Sequence, residues 1–371
     1  MNLLVLNIRV DADHPTQAVT TRWLQSLSGK FNQIMVITVH KGRLDLPENV
    51  SVDSLSLHPD DNRILRLIRL YYLFIKILLF KKIHSVFIHQ AVVSGALVSW
   101  IARLLGKPVL VWYCHQNITP WLRICHLWAN GVISSSKDSF RLKSNKFLVT
   151  GHGIDTQSFR PAGKIRTDRE RFIIGYVGRY SPVKKLEVLI DALEIIVSTV
   201  LKPPELHSYG LCQNLMELSY FKMVRGRVRE KGLEQFVKFH DPVNNWEVPS
   251  LLHGFDLFVS QQETGGTDKA VLEAMSVGLP VVMATTTFNS YLPENLEAEI
   301  IFESGSPEEM AKKIKGIMFL QKDKREEIGR IMREIVMKYH SLTRLTETIY
   351  MILIKMKNGK DWIDMQERRD K

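Results

Sequence analysis

FIIGYVGRYSPVKK, residues 172–185, is an apolar run that stops at Gly178, followed at once by Arg179, a turn-shaping Pro182, and then Lys184 and Lys185 at the opening of a helical pattern. A short apolar run bounded by glycine reads as a buried strand. In a parallel α/β domain the ligand binds at the carboxyl ends of strands, where glycine lets backbone approach a phosphate and a helix N-terminus supplies N–H groups. The helix dipole disfavours cations at that end by about 0.3–1 kcal/mol. A dianionic group between Arg179 and the lysines explains them; a solvated lysine pair is the competing explanation.

Working outward, the same alternation runs through the chain. Towards the C-terminus come a helix over Lys185 to Val200, strand LHSYG, a helix over Asn214 to Lys231, strands FVKFH and DLFVS, a helix over Asp268 to Val277 and strand PVVMA. Towards the N-terminus lie LLVLNI, a helix around Thr20 to Leu27, IMVITV, a helix over Arg63 to Phe80, SVFIHQ, a helix over Gly95 to Leu105 and PVLVWYC. Apolar runs alternating with helices indicate β-α-β units and two Rossmann-like halves. The polar, turn-rich stretch between them sets the expected organisation: a first domain over 1–150, a linker over 151–170, a second domain over 171–340, and a C-terminal helix with a charged tail over 341–371 that can cross back. Past Ser306 the pattern is helical, with Ser306 as N-cap, Pro307 in the first turn, and Met310, Ile314 and Ile317 on one face.

At 371 residues and 45% hydrophobic content the chain can bury two cores. A net charge of +11 admits nucleic acid, an anionic membrane surface or a phosphorylated small molecule as partner. No nucleic-acid-binding signature accompanies the charge, so no nucleic-acid partner is expected. Cys114, Cys125 and Cys212 match neither a zinc knuckle nor a redox pair, which fits a reducing cytosol. The apolar run Leu3 to Leu6 is too short for a signal peptide and reads as a first buried strand.

A second candidate site follows DLFVS, in QQETGGTDKAVLEAMSVGLP, residues 261–280. Gly265 and Gly266 let the loop hug a ligand, Thr267 and Lys269 flank Asp268, and Asp268 suits a helix N-cap. Glu273, among apolar neighbours, either faces solvent or is held for a ligand's hydroxyl pair. In WYCHQNITPW, His115 lies just past a buried strand, as a ligand contact or as a locally bonded histidine.

The stretches GHGIDTQSFRP, GYVGRYSPVKKLEVLIDAL and ETGGTDKAVLEAMSVGLPVV resemble, in order and spacing, the signatures of glycosyltransferase family 4. The resemblance implies a GT-B fold, two Rossmann-like domains facing across a cleft. It further implies a retaining, metal-independent hexosyltransferase-type reaction with no cofactor beyond a nucleotide-diphosphate sugar donor, on a polysaccharide, oligosaccharide or lipid-linked acceptor. Arg179 and Lys184 match the family's diphosphate-binding GR-x-x-x-x-K pattern, with Lys185 where a glycine is more usual. Glu273 matches the second, ribose-binding glutamate of the E-x7-E motif. The first falls on Gly265, while Glu263 lies ten residues upstream of Glu273; a loop insertion, loss of the sugar-side carboxylate, or its replacement by Asp268 all fit. His115 resembles the first-domain histidine that touches the donor sugar. By this resemblance His115, Arg179 and Lys184 are catalytic, and Gly178, Arg179, Lys184, Gly265, Gly266, Thr267, Asp268, Lys269 and Glu273 bind donor. Cytoplasmic synthesis of a surface polysaccharide or glycolipid is the commonest family setting. A sugar-nucleotide epimerase of the same fold and a catalytically impaired binding subunit are the rival readings.

Residues 62–82 are apolar nearly all round yet carry Arg63, Arg66, Arg69, Lys76, Lys81 and Lys82, which excludes a transmembrane helix. They suit a core helix or a peripheral helix on an anionic leaflet, and the two roles are compatible.

Overall fold

The computed structural model describes residues 1–14, 17–56, 58, 61–162, 171–262, 268–284, 287–288 and 291–363. Of the expected linker, 163–170 lies outside the described residues, as does the end of the charged tail, 364–371. The chain divides into two compact units, Met1–Gly153 with His340–Lys371, and Ile154–Tyr339.

The first unit contains β1 (Asn2–Val10), α1 (Val19–Ser28), β2 (Gln33–Lys41), β3 (Val50–Ser54), α2 (Arg63–Phe80), β4 (Ser85–His89), α3 (Val92–Leu104), β5 (Val109–Trp112), α4 (Pro120–Trp128), β6 (Gly131–Ser134) and β7 (Phe147–Val149). Its seven strands are parallel, in the order β3-β2-β1-β4-β5-β6-β7. Leu3 to Leu6 of β1 are all buried because helices cover both sheet faces. One face packs with α2, α3 and α4, and the other with α1 and the last helix, Leu342–Lys357. Asn62 caps α2 by accepting from the Leu65 amide, and Thr119 does the same for α4 through the Leu122 amide.

The second unit contains β8 (Ile173–Val177), α5 (Leu186–Thr199), β9 (Glu205–Tyr209), α6 (Leu215–Glu230), β10 (Val237–His240), α7 (Val248–Leu252), β11 (Leu257–Ser260), α8 (Lys269–Ser276), β12 (Val281–Met283), α9 (Glu294–Ile300), α10 (Pro307–Phe319) and α11 (Lys322–Ile335). Its sheet is parallel, in the order β10-β9-β8-β11-β12. The strand order reverses between β8 and β11, which is where an open α/β sheet binds its ligand. Ser306 caps α10, with Met310, Ile314 and Ile317 buried as the periodicity requires. The helix Leu342–Lys357, α12, then returns to the first unit against α1.

Three local features depart from the sequence expectation. β3 reads VSVDS, an edge strand with alternating exposure and no apolar run to announce it. Helix α3 begins at Val92 rather than Gly95, its first turn masked by two β-branched residues of low helix propensity. Lys184 and Lys185 do not open α5: Pro182–Lys184 is a single 3-10 turn, and Lys185 is left-handed at φ 45° before Leu186 begins the helix.

Candidate functional site

Gly178 leaves the carboxyl end of β8, its amide donating to the Tyr209 carbonyl over 3.0 Å. A Cβ on Gly210 would sit 2.3 Å from the Gly178 carbonyl oxygen, so the loops after β8 and β9 meet only because residue 210 is glycine. Arg179 follows, its side chain 46% exposed. Its Nη1 donates to Gln213 Oε1 and to Glu217 Oε1, each over 3.0 Å. Glu217 is buried, its second oxygen accepts from the Gln213 amide at 2.7 Å, and its own amide is capped by Asn214. One edge of the guanidinium is thereby fixed, while Nε and Nη2 make no hydrogen bond among the described residues. Glu217 and Gln213 escaped the sequence reading; the spacing Asn214-x-x-Glu217, a cap followed three residues on by glutamate, is the signal that could have found them.

Lys184 reaches across to the loop after β11. Its Nζ donates to Asp268 Oδ2 at 2.8 Å and to Gln262 Oε1 at 2.7 Å. Ser260 donates to the same Asp268 oxygen at 3.0 Å, and the other oxygen accepts from the Ala270 amide, capping α8 as expected. Burial pushes the Asp268 carboxyl up, but the Lys184 ammonium and these hydrogen bonds outweigh it and hold the group below its ordinary value. With both oxygens occupied, Asp268 serves as a tie between two loops. The left-handed backbone at Lys185 gives the physical reason why glycine suits that position; its Nζ donates to Ser304 Oγ at 2.9 Å.

Glu273 is buried, 5% exposed, so it does not face solvent. Lys269 Nζ lies 2.8 Å from its Oε1 but off the line of a hydrogen bond, leaving that oxygen with a charge partner and no hydrogen-bond donor. Gln261, 1% exposed at the end of β11, has neither end of its amide hydrogen-bonded. Buried polar atoms without hydrogen-bond partners are uncommon, and Gln261 just past β11 and Glu273 within α8 both carry them. Glu263, Gly265, Gly266 and Thr267 lie outside the described residues.

In the first unit His115 is exposed on the loop after β5, its amide donating to the Ser139 carbonyl at 2.9 Å and its Nδ1 accepting from the Asn117 amide at 3.2 Å. The same edge holds groups the sequence reading passed over. His89, ending β4, lies against Trp23 and Trp112, with ring centres 4.5 and 5.1 Å away, and its Nδ1 is 2.7 Å from Asn7 Nδ2. Burial lowers its pKa to about 3, so it is neutral. Cys114 lies 2.9 Å from Ser135 Oγ. Burial raises its thiol, yet hydrogen bonding and charge from His152 with the Ser135 and Ser139 hydroxyls bring it down to about 7.

The family model for glycosyl transferases group 1 matches residues 160–334, the span that carries all these charged groups of the second unit. Over that span, just under half of the chain, this protein resembles the group 1 glycosyl transferases. Sulfoquinovosyl transferase SQD2 of Arabidopsis thaliana is 26% identical over 207 residues, 53% of this chain and 38% of that protein. The UDP-Gal:alpha-D-GlcNAc-diphosphoundecaprenol alpha-1,3-galactosyltransferase of Escherichia coli is 26% identical over 161 residues, 40% of this chain and 39% of its own. The matched stretch thus spans about two fifths of either relative. Anabaena Alr3699/HepE, solved in complex with UDP, superposes with a TM-score of 0.75 at 18% identity, covering 96% of this chain and 100% of that one. Sucrose-phosphate synthase from Thermosynechococcus elongatus gives 0.77 at 13% identity, covering 97% and 100%. These likenesses show the fold, which is of the GT-B type.

Proposed function

We propose that this protein is a group 1 glycosyl transferase that moves a sugar from a nucleotide-diphosphate donor to a saccharide or lipid-linked acceptor, with retention of configuration and without a metal ion. The observation that carries the reading is the loop pair at the β8/β11 reversal. One loop presents Arg179 and Lys184, the next ends in Asp268 and leads into α8 with Glu273, and Lys184–Asp268 ties the two together. Cations already oriented by buried carboxylates stabilise a developing diphosphate charge without reorganising during the reaction. The Gln261 amide, without a hydrogen-bond partner, and the Glu273 carboxylate, paired only with Lys269, are the polar groups for base and ribose.

In the reaction the bond from the anomeric carbon to the diphosphate oxygen breaks and the acceptor hydroxyl oxygen bonds to that carbon from the same side. The hydroxyl proton passes to a phosphate oxygen of the leaving nucleoside diphosphate. Arg179 and Lys184 balance the leaving charge, each charge-assisted contact contributing about 1.5–3 kcal/mol.

HepE was solved with UDP and the E. coli relative is named for UDP-Gal and a diphosphoundecaprenol acceptor, so UDP-sugars and polyprenyl-diphosphate saccharides are the first compounds to try. Thermal shift with UDP- and GDP-sugars, in chelator, on the wild type and Arg179→Ala tests the donor site. Stabilisation by one nucleotide series that the variant loses supports the reading, and NMR of the product's anomeric proton tests retention. Donor binding without transfer across a broad acceptor panel would favour a sugar-nucleotide-binding subunit, the reading to which Gly265 at the first E-x7-E position points.

A further inference from the structure

The expectation of a membrane-facing helix was confined to residues 62–82, but the structure carries it further. On α2 the core takes Leu70, Leu73, Phe74, Ile77 and Leu78, while Ile64, Ile68, Tyr72, Ile75 and Leu79 are exposed. Their spacing of four, four, three and four residues is one outward helical stripe. The neighbours repeat it: Val93, Trp100 and Leu104 on α3, and Trp121, Ile124 and Trp128 on α4, are exposed at intervals of three, four or seven.

All three helices pack on the same face of the first-unit sheet, sharing one core with Leu4, Val86, Val111 and Val132. The Tyr71 hydroxyl donates to the Leu97 carbonyl over 2.9 Å, joining α2 to α3. A Cβ on Gly95 would lie 2.8 Å from Cys125 Sγ, so α3 and α4 are in close contact. The three stripes therefore form one layer pointing away from the sheet. An apolar surface of that extent on one side of a domain marks an interaction site.

Charge identifies the occupant. Between Asp61 and Asp138 there is no Asp or Glu, against ten Lys and Arg. Arg63, Lys76, Lys81, Lys82, Arg103 and Arg123 are exposed around the apolar stripes. A second copy seated on this face by two-fold symmetry would oppose like charges. Exposed aliphatics, tryptophans and tyrosine on helices that carry cations and no acidic residue match an anionic bilayer surface, which takes the apolar side chains below the headgroups and the cations among them. Among the described residues no helix is long and apolar enough to cross a membrane, consistent with lying on one.

We propose that the α2–α3–α4 layer docks on an anionic lipid bilayer, with Trp100, Trp121 and Trp128 in its interfacial zone. The proposal does not depend on the transferase reading and can fail separately from it.

The test is flotation of the full chain with vesicles of phosphatidylcholine alone or with about 30 mol% phosphatidylglycerol, a mixture that supplies the negative surface potential. The variants are Ile68→Ser with Tyr72→Ser on α2, and Ile124→Ser with Trp128→Ser on α4. Wild type should bind anionic vesicles about tenfold or more over neutral ones, weakening as salt rises, and each double variant should lose most of that preference. Brominated lipids should quench tryptophan fluorescence, and replacing Trp100, Trp121 and Trp128 by Phe should remove the quenching. The altered positions are exposed, and matched thermal unfolding checks that the variants fold. Equal binding to both vesicle types overturns the proposal, as does an α4 variant that binds like wild type. A dimer dissociated by the same substitutions, with no lipid binding, would assign the face to self-association and overturn it as well.

Discussion

Where the strands of the second unit end, charge meets charge: Arg179 with Glu217, Lys184 with Asp268, Lys269 with Glu273. Where those of the first unit end, the groups are indoles, imidazoles, hydroxyls and one thiol, with His89 held neutral by burial. Both edges arise from the same parallel layout, so under the proposed function the difference lies in what each edge meets. A diphosphate brings its own charge and demands fixed cations, whose buried counter-ions orient them beforehand. A sugar hydroxyl demands neutral hydrogen-bonding groups and flat apolar surfaces.

Unbalancing a buried pair should separate the two edges most strongly. Lys184→Met leaves Asp268 without its cation and should cost about 3 kcal/mol in denaturant unfolding at neutral pH. Because the Asp268 pKa is depressed, its contribution is present above the ordinary carboxylate value and lost as pH falls through the lowered one. Wild type and variant should therefore converge in stability in that acid range; a gap persisting at the lowest pH would show that the pair is not its source.

Arg179→Ala should slow transfer about tenfold or more, from the loss of one charge-assisted contact. Its cost in stability should be smaller than that of Lys184→Met, since Glu217 keeps the Gln213 amide. Near-normal turnover would remove Arg179 from the diphosphate site.

Gln261→Leu removes a buried unpaired amide and should raise stability by about 1 kcal/mol while weakening the thermal shift given by nucleotide. An unchanged shift would mean that the amide does not meet the donor. Lys185→Gly relieves a left-handed lysine and should gain up to about 1 kcal/mol, reduced by the added freedom of glycine in the unfolded chain. On the neutral edge, Cys114 should be alkylated by iodoacetamide with a midpoint near pH 7, while Cys125, pushed up to about 12 by burial, stays inert. A Cys114 midpoint matching a free thiol would make that edge neutral throughout.

The parts of the site legible in the sequence are those whose role follows from position on a single element. Gly178 and Arg179 end a strand, Asp268 precedes a helix and caps it, and Ser306 and Pro307 announce α10 by local chemistry. The burial of Glu273 was not legible, because periodicity cannot tell an exposed glutamate from one turned inward. Nor were β3 and α4, one too polar at a sheet edge and the other nine residues long behind a Thr-Pro start.

Local sequence sets the alternation of strand and helix and the carboxyl-end location of the cations, because each is written in a window of a dozen residues. Tertiary structure alone decided which side chains share a site. Glu217 comes to Arg179 from 38 residues away and Asp268 to Lys184 from 84. It also set three separate helical stripes into one basic apolar face. Strand order brings these groups together, and the contacts that fix strand order are long-range, so no local pattern records them.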